Sequence, residues 1–239
     1  MKTVRYSSAG REAYGPIEAD AFFDLRRVGK IVGVGLNYRD HAIETGLPLP
    51  KEPTLFMKAT SALCGPNDDL IMPRGASRVD WEVELGVVIG RPGVYIAERE
   101  ALDHVLGYVL AVDFSERDFQ FNRGGHGFKG KSADTFAPLG PWLASREEIP
   151  DPQNLALRLS VNGVVRQNGS TRDMIFPVAA LVAYISTFMS FQTGDVILTG
   201  TPAGVGLGQK PPSFLKPGDL VTASIEGIGE QSHKVVASR

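Results

Sequence analysis

Short apolar runs alternate along the chain with polar breaks marked by glycine and proline. KIVGVGLNY reads as an apolar strand ending near Gly35 and Asn37, and RDHAIETG then has the length of one or two helical turns, closed by Gly46 and the Pro48/Pro50 pair. TLFMKATSAL predicts a further strand and PNDD a turn. VDWEVELGVVIG alternates apolar and polar for six residues and then turns apolar on both faces, as in a strand entering a core. A short helix at Glu98–His104 precedes the strand GYVLAVD, and from Phe114 to Pro141 the chain is polar, glycine-rich and read as irregular. LRLSV-NG-VVRQ predicts a β-hairpin, because Asn162-Gly163 accepts the positive φ angles of a type I′ turn. FPVAALVAYISTFMSFQTGD predicts the one long helix, with Val178, Leu181, Val182, Ile185 and Met189 on one stripe and Gly194 as its stop. DVILTGTPAGVG reads as a strand running into a glycine loop, and DLVTASIEGIGEQSHKVV as a final hairpin.

This order of elements predicts an α+β, sheet-dominated architecture. Residues 1–27, polar apart from an apolar cluster at Ala21–Leu25, read as a short N-terminal β appendage, and residues 28–239 as the main domain. A chain of 239 residues buries a sizeable core without staples, and its 27 glycines and 16 prolines require frequent turns. The net charge of −2, with no local basic run, gives no footprint for nucleic acid. The single cysteine, Cys64, allows no intrachain disulfide and favours a reducing compartment. MKTVRYSSAG lacks the apolar stretch of a signal peptide, and runs such as VAALVAYI are far short of a membrane span, so a soluble, cytoplasmic protein is expected.

Charged residues occupy places where this pattern expects apolar ones. Glu82 and Glu84, two apart on a predicted strand, share a face, with Trp81, Val83, Leu85 and Val87 on the other; Asp113 closes the apolar run VLAVD. Inward carboxylates repel one another unless a cation lies between them. Three of them with no cysteine or histidine pattern nearby make a hard, all-oxygen set suited to Mg²⁺ or Mn²⁺ ahead of Ca²⁺. A solvated strand face is the other reading of Glu-x-Glu, and the pattern leaves both open. His41 and Glu44, three apart in the short helix, also share a face. A carboxylate beside an imidazole fixes its tautomer, as a general base requires, while the plain alternative is a surface pair. The flanking glycines and prolines suggest a mobile segment that closes over a site.

GHGFKGKS at 125–132 spells the phosphate-loop pattern G-x-x-x-x-G-K-[ST], but its context fails. RDFQFNRG before it is too polar for a central strand, and ADTFAPLGP after it is too rich in proline and glycine to open a helix. GVGLGQ at 204–209 fails as a dinucleotide fingerprint because Lys210-Pro211-Pro212 blocks the required helix. It stands as either a flexible turn or an anion-cradling loop of backbone N–H groups.

Taken together, VGLNYRDHAIETG, PTLFMK, DWEVELGVVIG, GYVLAVDFSERDFQ, KGKSADTFAPLGP, VNGVVRQNGST and GDVILTGTPAGVG resemble the fumarylacetoacetate hydrolase family, in family order over roughly residues 31–230. The resemblance implies a mixed β-sandwich or roll of the fumarylacetoacetase C-terminal-domain type with a few helices, residues 28–239 as the catalytic domain, and a homodimer. It implies a metal triad on Glu82, Glu84 and Asp113, and a general-base dyad on a lid at His41 and Glu44. It also implies a lysine near the reacting oxygens at Lys131, and substrate contacts at Arg117, Gln120 and Thr201. The implied reaction is Mg²⁺- or Mn²⁺-dependent hydrolysis of a carbon–carbon bond in an acylpyruvate or 2,4-diketo acid, releasing pyruvate. The alternative is the same site used as a 2-oxo acid hydratase, isomerase or decarboxylase.

Two departures stand out. Leu36 occupies a position where some oxaloacetate-acting relatives carry arginine, which fits a longer, less acidic substrate, and the N-terminal region is shorter than in several relatives. The resemblance gives no role to His104, read at a helix end, or His233, read on a strand; His126, in the glycine-rich loop, stands within possible reach of substrate.

Overall fold

A computed structural model describes residues 3–8, 11–16 and 28–238, and the Ala21–Leu25 cluster lies outside them. In chain order the strands are β1 (Thr3–Ser8), β2 (Arg11–Pro16), β3 (Ile31–Gly35), β4 (Thr54–Lys58), β5 (Leu63–Cys64), β6 (Leu70–Met72), β7 (Val79–Asp80) and β8 (Val83–Ile89). They continue as β9 (Val105–Val112), β10 (Ser115–Glu116), β11 (Ala137–Ser145), β12 (Ala156–Val161), β13 (Val164–Ser170), β14 (Val196–Leu198), β15 (Leu220–Ile225) and β16 (Gly229–Ala237). Among the described residues four short α-helices accompany them: α1 (Arg39–Thr45), α2 (Arg117–Asn122), α3 (Phe128–Lys131) and α4 (Val178–Ile185). No helix among the described residues is long and apolar enough to cross a membrane.

The apolar runs assemble into a nine-stranded sheet in the order β2-β1-β11-β9-β8-β14-β3-β4, with β5 paired to β11. Strand β14 pairs parallel with β3 and antiparallel with β8, so the sheet is mixed. A five-stranded sheet, β13-β12-β15-β16-β6, packs β12, β15 and β16 against β8, β9 and β11. Every residue of β8 is buried, which explains why its sequence loses alternation: apolar side chains are required on both faces. The expected sandwich is therefore present, with Glu84 on β8, an interior strand of the larger sheet. The β12–β13 hairpin turns through Asn162 and Gly163 at φ 52° and 76°, the left-handed angles the Asn-Gly pair was expected to adopt.

Three expectations need correction. The long helix covers only α4, with Val178, Leu181, Val182 and Ile185 buried. The Oγ of Ser186 donates to the Ala183 carbonyl at 2.7 Å and that of Thr187 to Tyr184 at 2.7 Å, so hydroxyls occupy last-turn carbonyls as the helix ends. Met189 still packs against the core, and Gly194, at φ 94°, turns the chain into β14. The stretch from Phe114 to Pro141 is not irregular. It holds β10, α2, α3 and the start of β11, because Glu116 caps α2 by accepting from the Phe119 N–H at 2.6 Å while also holding the Ser77 and Arg78 N–H groups. Finally, TLFMKATSAL divides into β4, a 3₁₀ turn at Thr60–Ala62 and β5.

A buried glutamine ties the sheets together. The Gln231 amide on β16 donates to the carbonyls of Leu110 at 2.8 Å and Gly140 at 2.9 Å, beside the irregularity in the β9–β11 ladder. Gln231→Leu leaves both carbonyls without that donor and is expected to destabilise the fold by about 2–4 kcal/mol. Urea denaturation checks this, with a substitution at the exposed Gln192, Gln192→Leu, as the comparison.

Candidate active site

The three candidate metal ligands come together because β8 and β9 are paired antiparallel. Val83 faces Val112 in the register, and the Asp113 N–H extends the ladder to the Glu82 carbonyl at 2.8 Å. Asp113 therefore lies across from Glu82, and Glu84, two residues on, shares their face. One oxygen from each of the three lies within 4.8 Å of the others, and all three residues are buried. The solvated-face reading of Glu-x-Glu is thereby excluded.

The partners of the three carboxylates differ. Glu82 accepts from Arg117 Nη2 at 2.6 Å and Lys131 Nζ at 2.7 Å. Asp113 accepts from Lys131 Nζ at 2.6 Å and from the fully buried Lys58, whose ammonium also reaches the Phe114 carbonyl. Glu84 accepts the Gly200 N–H at 2.7 Å and, among the described residues, forms no side-chain ion pair. Burial opposes ionisation of Glu82, yet Lys131 and Arg117 outweigh it and hold the carboxyl well below the usual range. Burial, reinforced by the charges of Asp113 and Glu82, pushes Glu84 well above that range. Burial also lowers Lys58, with Asp113 opposing it; for Lys131 the attraction of Asp113 and Glu82 exceeds the effect of burial and raises it. Clustered buried oxygens, one carboxylate of which lacks a counter-cation, are the donor chemistry of a hard divalent ion, and the residues fit one.

His41 and Glu44 pair within α1, Nδ1 to Oε2, at 2.8 Å. The other Glu44 oxygen accepts the Gly204 N–H at 2.9 Å, and Asp40 accepts the Ala203 N–H at 3.1 Å. The GVGLGQ loop is thus held by carboxylates of this chain. Gly206 and Leu207 donate their N–H groups to Asp80 at 2.6 and 2.9 Å, which settles the choice between flexible turn and anion cradle: the anions are side chains. The phosphate-loop spelling is likewise accidental. Lys131 ends the short helix α3 and is committed to Glu82 and Asp113.

A cavity of about 1250 Å³ brings most of the candidates together. Glu82, Glu84, His41, Lys131, Arg117, Gln120 and Thr201 all line it, as does His126. Asp113 sits behind Lys131 with no exposed surface, and Glu44 reaches the cavity through His41. Arg117 spends its donors on Asp80, Glu82 and Gln120. The Thr201 hydroxyl donates to the Val83 carbonyl and accepts from Gln167. The remaining wall is largely apolar, with Leu36, Leu47, Leu55, Met57, Phe121 and Phe128. Leu36 is held at φ 50°, a left-handed angle unusual for a leucine. His104 and His233 are occupied elsewhere, with Arg91 and with Asp68 and Gln231.

Sequence reasoning missed Asp80, Lys58 and Gln167. Asp80 was detectable, since it has the same parity as Glu82 and Glu84 in DWEVE. Lys58 ends the apolar run TLFMK and could have been suspected as a buried cation. Gln167 gave no signal; its role, accepting the Val83 N–H and donating to Thr201 and Pro202, exists only once β13 meets the loop after β14.

A family model described as the fumarylacetoacetate (FAA) hydrolase C-terminal domain matches residues 30–236. A Burkholderia multivorans protein provisionally named a hydrolase is 56% identical over 214 residues, covering 89% of this chain and 76% of that protein. The structure of 5-carboxymethyl-2-hydroxymuconate delta-isomerase from Mycobacterium smegmatis is similar with a TM-score of 0.84 and 34% identity, covering 100% of both chains. Fumarylpyruvate hydrolase from Pseudomonas aeruginosa, solved with Mn²⁺ and pyruvate, is similar with a TM-score of 0.84 and 30% identity over 98% of this chain and 99% of that one. With matches of this extent over the sandwich that carries the carboxylate cluster, the chain belongs to the fumarylacetoacetate hydrolase family.

Proposed function

We propose that the chain is a divalent-cation-dependent hydrolase that cleaves the carbon–carbon bond of an acylpyruvate, a 2,4-diketo acid, and releases pyruvate. The observation that carries this reading is a shared cavity: Glu82 and Glu84 of the buried cluster and His41 of the His41–Glu44 pair open onto the same space. Glu82, Glu84 and Asp113 would hold Mg²⁺ or Mn²⁺, which supplies Lewis-acid charge for the oxygens of a 2-oxo acid. The similar fumarylpyruvate hydrolase, solved with Mn²⁺ and pyruvate, supports both the cation and the product.

The roles of the chain's own groups follow. Glu44 accepts the Nδ1 proton of His41, leaving Nε2 free to take a proton from water. The hydroxide adds to the carbonyl two carbons beyond the 2-keto group. Collapse of that adduct breaks the carbon–carbon bond; one fragment leaves as a carboxylic acid, and the bonding pair departs with the other as the enolate of pyruvate. Protonation at carbon completes the product. The Lys131 ammonium, fixed by Glu82 and Asp113, opposes the developing negative charge. The apolar wall supports a substrate whose acyl tail is uncharged. Isomerisation of an unsaturated 2-oxo acid at the same site is the second reading, favoured by likeness to the Mycobacterium smegmatis isomerase; in it His41 moves a proton between carbons and no pyruvate appears.

A panel of acylpyruvates with Mn²⁺ and coupled pyruvate detection tests the proposal, and substrate loss without pyruvate favours isomerisation. His41→Ala is expected to lower kcat about 10²–10⁴-fold while Mn²⁺ binding by calorimetry stays as in the wild type. Mn²⁺ at a hundredfold excess over Kd is expected to stabilise the wild type by about 2.7 kcal/mol, read as a rise in melting temperature, and Glu84→Gln is expected to abolish that rise. Because the folded-state pKa of Glu84 is raised, its charged form costs stability as pH climbs through that value. In EDTA at neutral pH, Glu84→Gln should therefore melt no lower than the wild type. Leu36→Arg is expected to shift the kcat/KM ratio at least tenfold, from an apolar-tailed acylpyruvate toward a dicarboxylate such as fumarylpyruvate, in paired assays.

A further inference from the structure

Asp80 is fully buried and belongs neither to the three-carboxylate cluster nor to the His41–Glu44 pair. Its oxygens nonetheless accept four hydrogen bonds: from the Trp81 N–H at 2.8 Å, Gly206 N–H at 2.6 Å, Leu207 N–H at 2.9 Å and Arg117 Nε at 2.9 Å. Two of these donors belong to the loop that holds α1. Just upstream in that loop, the Ala203 and Gly204 N–H groups bind Asp40 and Glu44, and the Gly204 carbonyl accepts the Trp81 indole N–H at 3.1 Å. In the other direction, Arg117 carries the connection to Glu82.

We propose that Asp80 is a positioning residue: by fixing the Gly204–Leu207 loop it docks α1 and sets where His41 stands over the cavity. Its catalytic consequence rests on the water-activating role proposed for His41. Within the loop a short 3₁₀ turn at Gly206–Gly208 is closed by the Gly208 N–H on the Val205 carbonyl at 3.1 Å. Gly204, Gly206 and Gly208 lack side chains to anchor it, and Gly204 lies at φ 110° with the Arg166 carbonyl where a Cβ would stand. Its placement against α1 is set from outside, and bonds from N–H groups to a buried carboxylate are strong enough to set it. The far side of the loop then presents Gly204 N–H to one oxygen of Glu44 while the other oxygen holds His41. An asparagine at 80 keeps the volume but turns an NH₂ group toward N–H donors, losing bonds on one side.

Hydrogen exchange by mass spectrometry on the full chain, read over residues 38–47, tests this without substrate. Asp80→Asn, well below its melting temperature, should exchange at least tenfold faster there than the wild type, while β8 and β9 keep their protection. In pyruvate-release assays Asp80→Asn should lower kcat on the order of a hundredfold, with a smaller change in KM. In a His41→Ala background it should have little further effect. Unchanged exchange over 38–47, or an equal loss of turnover with and without His41, overturns the proposal. If Asp80→Asn does not fold, Trp81→Phe removes the indole bond to Gly204 and leaves Asp80 in place; it must itself speed exchange over 38–47, and unchanged exchange again overturns the docking role. A wild-type chain that releases no pyruvate refutes the hydrolase reading, while the exchange measurement still decides the role of Asp80.

Discussion

Four carboxylates, Asp80, Glu82, Glu84 and Asp113, are buried around one strand crossing, and accommodating them dictates much of what surrounds it. A buried carboxylate survives only with donors or cations in contact. Lys58, Arg117 and Lys131 supply charge, and the N–H groups of Trp81, Gly200, Gly206 and Leu207 supply the remaining donors. The three cations enter from β4, α2 and α3, and the Gly200, Gly206 and Leu207 N–H groups from the segment after β14; only Trp81 donates from beside the carboxylates' own strand. The arrangement therefore specifies where those elements can pack, over and above any contribution to stability.

Glycine-rich segments have a matching function. The GKS and GVGLGQ stretches carry the spelling of nucleotide loops, and both are turned to the protein's own charges. Lys131 emerges from the first to meet Glu82 and Asp113; backbone N–H groups of the second meet Glu44 and Asp80. The same local chemistry that binds a phosphate elsewhere serves as internal scaffolding.

Much of the sandwich was readable from alternation and turn residues, because β8, β9, the Asn162-Gly163 hairpin and the final hairpin are specified by nearby residues. The triad was readable too, as charges placed where a core was expected. What the sequence concealed was mostly non-local. Glu116 organises α2 from one residue away but holds Ser77 and Arg78 across 38 or more positions, so a polar stretch looked irregular although it is ordered. The long amphipathic stripe overstated α4, because hydroxyls at Ser186 and Thr187 end it while the apolar side chains continue to face the core. Asp80 was visible by parity, but its purpose depended on a loop more than a hundred residues later.

The parallel seam between β3 and β14 joins segments that are remote in the chain: the Lys30 N–H meets Asp195 across 165 positions. The entropy of closing a loop grows only slowly with its length, but so non-local a pairing raises the contact order of the fold, which slows folding. The residues after β14 hold Glu84, Glu44 and Asp80 through the N–H groups of Gly200, Gly204, Gly206 and Leu207. Strands β14 to β16 and the cavity-lining residues Thr201, Val205 and Leu207 come from the same stretch, so both sheets and the cavity are completed together, by residues 196–237.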